Sequence, residues 1–90
     1  MINLEEAKTY LRVDSADEDT LILSLLETAE GLVKDLSRLD DEEFENNENK
    51  VRIAILYATA YLYENREKAN HKELTLTVRA LLFGVREAKF

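Results

Sequence analysis

Apolar positions recur at helical spacing along most of the chain. Leu4, Ala7, Tyr10 and Leu11 follow i, i+3, i+4 spacing and predict a short first helix over 4–11. Asn3 can cap it, and Glu6 stands three residues on, as in a capping box. The cluster Val13-Asp14-Ser15-Ala16-Asp17-Glu18-Asp19 then predicts a second start, with Ser15 and Glu18 as a capping box. Asp17, Glu18 and Asp19 favour the positive end of that helix dipole. The second helix is predicted to run to about Ser37. Ile22, Leu25, Leu26, Ala29, Leu32, Val33 and Leu36 fall on its apolar stripe, with Leu21 at the edge. Glu27, Glu30, Lys34 and Asp35 lie off that stripe. Gly31 costs roughly 1 kcal/mol inside a helix, so its place there predicts a close helix contact.

The period fades between Leu39 and Asn49. This stretch has six acids, three asparagines and no base, and predicts a mobile loop with Phe44 as its one anchor. A third helix is predicted over about 48–68. From Ile53 to Leu62 only Thr59 is neither aliphatic nor aromatic, and the polar stripe is narrow: Arg52, Thr59, Tyr63 and Arg66. A helix that is apolar nearly all round packs on several sides and is central. Asn70-His71-Lys72 predicts a break. A fourth helix is then expected over about 74–83, with Leu74, Val78, Leu81 and Leu82 inward and Gly84 at its end. The expected fold is an all-α, small four-helix domain over residues 1–90, with a nearly all-apolar central third helix. Leu25, Leu26, Ala29, Val33, Ile55, Ala58, Leu62 and Leu81 are its expected core.

Composition supports this reading. The chain has 90 residues, no proline and two glycines, Gly31 and Gly84, so the frequent turns of a sandwich or barrel lack their usual residues. A chain this short buries only about 60–65% of its unfolded surface, which leaves room for partner subunits to cover more. With no cysteine, disulfides and thiolate metal sites are excluded. The opening Met1-Ile2-Asn3-Leu4-Glu5-Glu6 lacks the basic and apolar regions of a signal peptide. The apolar stretch from Ile53 to Leu62 is too short to span a bilayer, so no membrane role is expected.

Charge divides the chain. Residues 1–49 hold 15 acids and 4 bases, giving −11, while residues 50–90 hold 4 acids and 8 bases, giving +4. The total of −7 argues against tight general binding to nucleic acid, which rests on neutralising phosphates. The split predicts a molecule with two unlike faces, beside the plainer reading of a solvated acidic loop and ordinary helix surfaces.

Chemistry has little to work with. His71 is the one histidine and lies beside lysine at a helix break, where a surface role is the expected one. No His-x-x-x-His or Glu-x-x-His pair occurs, and no glycine-rich phosphate loop. Asp40-Asp41-Glu42-Glu43 lacks the glycine-turned pattern of a calcium loop. Asp14-Ser15 before a helix has the flavour of an acyl carrier protein. The triplet is Asp-Ser-Ala near the start, however, and capping explains Ser15 better. The expectation is a non-enzyme without cofactor or metal.

The opening Met1-Ile2-Asn3-Leu4-Glu5-Glu6-Ala7-Lys8-Thr9-Tyr10-Leu11-Arg12-Val13-Asp14 resembles that of phage head-tail connector proteins, also called adaptor or DNA-packaging proteins. The likeness continues through Asp17-Glu18-Asp19, Leu21-Ile22 and the run Ile53 to Glu67, with Tyr63-Glu64-Asn65-Arg66-Glu67 its most specific part. Leu81-Leu82 and Arg86 resemble the family's closing leucine pair and arginine. The chain departs in lacking the prolines often found before the third and fourth helices, and in its short tail. The resemblance implies a homo-oligomeric ring of about a dozen copies, which closes through heterologous contacts. It implies a seat under the portal protein, a longer DNA channel without specific DNA binding, and a docking surface for tail-completion proteins. It places the protein in the virion neck, after assembly in the host bacterial cytoplasm. Arg52, Tyr63, Glu64, Asn65, Arg66, Glu67, Arg79 and Arg86 are the candidate subunit-interface residues. Internal bracing is an equal reading of the Tyr63–Glu67 run, with Glu64 and Lys68 spaced to pair at i, i+4. The alternative function is a small acidic regulator, or DNA mimic, that occupies a basic site on a host protein.

Overall fold

The computed structural model describes residues 2–65 and 70–87. These residues are all-α, in five helices: α1 Leu4–Leu11, α2 Asp19–Ser37, α3 Asp41–Asn46, α4 Glu48–Glu64 and α5 His71–Glu87. α2 and α4 pair most extensively; α5 packs on both, α1 contacts the same pair, and α3 rests on α4. The extents of 43 × 26 × 16 Å describe a slab whose short dimension fits two helix layers at the usual 8–10 Å spacing.

The core lies among α2, α4 and α5. Ile22, Leu26, Ala29 and Val33 of α2 face Val51, Ala54, Ile55 and Ala58 of α4, and Leu74, Val78 and Leu82 of α5 close it. All follow the i, i+3, i+4 rule, so helical phasing alone places them. Ile2, Leu39 and Phe44 extend the core beyond the long helices. Leu25 and Leu62 are half-buried, and Leu81 is 39% exposed, so Leu81 does not belong to the core. Leu74, Val78 and Leu82 already fill the inward face of α5, which leaves Leu81 at its margin.

Helix ends show where local chemistry governs and where packing overrides it. Asn3 caps α1: its Oδ1 accepts from the Glu6 N–H at 2.8 Å. The expected Ser15–Glu18 box is absent. α2 begins at Asp19 with Glu18 at the N-cap and no side-chain cap. The Glu18 carboxylate instead accepts from the Tyr63 hydroxyl at 2.6 Å, so a tie to α4 takes the group that local capping would have used.

The acidic segment between α2 and α4 is not the expected loop, because it contains α3. Asp40 Oδ1 accepts from the Glu43 N–H at 2.8 Å, and Glu43 Oε1 accepts from the Asp40 N–H at 3.2 Å, a reciprocal capping box. Asp41, Glu42 and Glu43 fill the first turn, where the helix dipole favours them. Phe44 is buried, as its role as anchor requires.

Thr59 also differs from expectation. It is buried rather than on a polar stripe, and its hydroxyl donates to the Ile55 carbonyl at 2.8 Å, which satisfies it within the helix. α4 ends at Glu64, with Asn65 as C-cap; the expected extension to residue 68 falls outside the described residues. α5 is longer than expected at both ends. Asn70 Oδ1 caps its start by accepting from the Glu73 N–H at 3.0 Å, and the helix runs through Gly84 to Glu87. Gly31 sits in no tight contact, since a Cβ built there meets nothing within 4 Å.

Candidate interaction surfaces

The candidate interface residues divide into those tied within the chain and those left open. Arg52, on α4, pairs with Glu6 of α1 and lies 3.8 Å from Glu48 one turn back. Tyr63 binds Glu18 across the slab. Asn65 turns its Nδ2 back to the Tyr61 carbonyl at 2.9 Å. Glu64 and Arg79 are exposed. Arg66 and Glu67 lie outside the described residues, and Arg86 is in the last turn of α5 with its side chain outside them. The Glu64–Lys68 pairing also falls outside them.

Sequence reading found Arg52 and Tyr63 but not their partners. Glu6 is 46 positions from Arg52, and Glu18 is 45 from Tyr63. A helical pattern carries no signal for such pairs, although Glu6 and Glu18 both stood out as first-turn acids.

Further ties hold the layers in register. Lys8 Nζ lies 2.8 Å from Asp19 Oδ1, joining α1 to α2. The Asp19 carboxylate, at hydrogen-bonding distance, raises the Lys8 ammonium above its ordinary value, while desolvation works the other way. Lys34 of α2 pairs with Asp41 of α3. The Tyr61 hydroxyl accepts from the Asn70 N–H at 3.1 Å and donates to the Asn70 carbonyl at 3.3 Å, pinning the approach to α5.

Several large apolar side chains remain on the outside. Ile53 of α4 is 61% exposed, Leu76 of α5 56%, Tyr10 of α1 50% and Leu23 of α2 48%. Shallow grooves lie beside two of them, Tyr10 and Leu23. One lies between α1 and α4, where Tyr10, Tyr57 and Tyr61 meet Arg12 and Glu64. The other runs along α2 past Leu23 and Gly31. Scattered exposed apolar residues are ordinary, and those that border a groove are the candidates for contact.

Among the described residues no group of three or more histidine, cysteine or acidic side chains converges as metal ligands do. No helix among them is long and apolar enough to cross a membrane. The wall residues of both grooves are tyrosines, leucines and paired or solvated charges, with no nucleophile set against a base.

Neither a curated protein nor a solved structure matches the chain. The sequence model of the phage gp6-like head-tail connector proteins, however, matches residues 1–88. That span takes in the capped first helix, the Glu18–Tyr63 and Arg52–Glu6 ties, and all five helices. With a helical slab, open apolar surfaces and that match, the chain belongs to the phage gp6-like head-tail connector family, a structural family of the phage particle.

Proposed function

We propose that this protein acts as one domain and forms a ring of about a dozen copies beneath the portal protein, closed by head-to-tail contacts. The ring lengthens the channel through which DNA passes and offers tail-completion proteins a surface to dock on. Its place is the virion neck, reached after assembly in the host bacterial cytoplasm. The single observation that carries this reading is the family match over residues 1–88.

The mechanism is geometric and uses no catalytic residue. A channel lined by acidic side chains repels DNA phosphates, so DNA slides without sticking. The net charge of −7 suits that role. In this reading the nearly all-apolar stretch of α4 does two jobs. Val51, Ala54, Ile55 and Ala58 build the chain's own core, while Ile53 on the other side remains for a neighbour. Of the candidate interface residues, Glu64 and Arg79 are open to a neighbour, with Arg66, Glu67 and Arg86 proposed beside them. Arg52, Tyr63 and Asn65 act by holding α4 in place.

The test is a stop codon in this gene within its phage, with the protein supplied from a plasmid as control. The expected result is filled heads and free tails that fail to join, with joining restored by the plasmid. A normal yield of tailed particles without the protein would contradict the reading.

A further inference from the structure

We infer that the groove along α2 receives the exposed stripe of α5 from a second copy of this chain. The inference rests on the ring reading above and names the contact that would close it.

The groove has a volume of about 570 Å³. Ile2 and Leu26 form its buried floor, Leu23 an exposed wall, and Glu27 and Glu30 its rim, with Lys34 at one end held by its pair with Asp41. Gly31 is a notch in the middle, with open space where a side chain would be. A side-chain-free notch on a helix lets another helix ride close, at the short end of the 8–10 Å range. The slab itself does not use the notch.

The matching stripe is on α5. Lys72, Leu76 and Arg79 occupy i, i+4 and i+7, and all three are exposed. They put an apolar knob between two cations over about 10.5 Å of helix. Leu23 and Glu30 are also seven residues apart, so groove and stripe have the same reach along their axes. Among the described residues none of Lys72, Arg79, Glu27 and Glu30 is in an ion pair. Two acids without an ion pair, Glu27 and Glu30, thus line an apolar groove, and two bases without one, Lys72 and Arg79, flank an apolar knob. Apolar burial holds such a contact, and charge selects its register. Groove and stripe are different patches on different helices, so the contact is heterologous and propagates head to tail.

The natural chain has no cysteine, which permits a clean cross-linking test. One preparation carries Gly31→Cys and a second carries Leu76→Cys. They are mixed and mildly oxidised, both alone at high concentration and together with the portal protein of the same phage. The expected product is the mixed disulfide, well above the yield when Ser15→Cys replaces Gly31→Cys. Adding Arg79→Glu to the second chain lowers the yield about tenfold, and Glu30→Arg in the first restores it. Mixed disulfide no greater than the Ser15→Cys control, both alone and with portal, overturns the contact. So does a product dominated by Gly31→Cys paired with itself. Portal binding without the mixed disulfide removes this contact and leaves the connector role intact. The mixed disulfide without portal binding supports the contact and counts against the connector role instead.

Discussion

Single residues carry two kinds of information here, and only one is visible in a linear chain. Asn3 capping Glu6 is local, so its spacing announced it. Asp40 and Glu43 have the same local spacing, but the acids around them looked like a solvated run. Their order, with acids packed into a first turn, was the missed signal. Gly31 was read as a contact point within the fold, yet it faces open space. Gly31→Ala therefore adds helix propensity without a clash and should stabilise the folded chain by about 0.5–1 kcal/mol in urea titration. A loss of stability would mean that something presses on that face. Lys8 gives a pH-dependent expectation. Asp19 raises its ammonium in the folded state, so the pair's contribution is complete below the ordinary lysine value of 10.5. It is lost as pH climbs through the raised folded value. The deficit of Lys8→Met relative to the natural chain should thus be constant at neutral pH and shrink in strongly alkaline buffer. A deficit that ignores alkaline pH would show that the pair does no electrostatic bracing.

At the scale of elements, α1, α2 and α4 were legible because apolar residues recur with one period over several turns. Boundaries were less so. The start of α2 moved to Asp19 because Glu18 is committed to Tyr63, and no local rule foresees a partner 45 positions away. α5 ran through Gly84 because one glycine costs only about 1 kcal/mol and is no obligatory stop. α3 was hidden because six residues hold fewer than two turns of pattern, too few for a period to emerge. Its hold on the body should depend on Phe44, which is 5% exposed. Phe44→Ala should cost about 3 kcal/mol and raise amide exchange through Asp41–Asn46 while α2 and α4 stay protected. Unchanged exchange in α3 would mean that the capping box and the Lys34–Asp41 pair suffice without it.

For the whole molecule, the resemblance read from Met1–Asp14 and Ile53–Glu67 named the family that the match over residues 1–88 establishes. The open surface was only partly legible. Sequence singles out charged and aromatic residues, but it cannot say which are already satisfied at home. Arg52 and Tyr63 were chosen for character and turn out to brace the slab, while Leu23 and Leu76 were passed over and lie open. Net charge is the property least altered by folding. At −7 the chain should bind random duplex DNA weakly or undetectably at physiological salt. A salt-sensitive, tight complex in a fluorescence anisotropy titration would contradict that and favour a regulatory role. Assembly is visible by electron microscopy of the purified protein incubated with its phage's portal. The expected image is an added ring, coaxial with the portal on its tail-facing end, with an open central channel. Portal particles unchanged by a large excess of folded protein would contradict it.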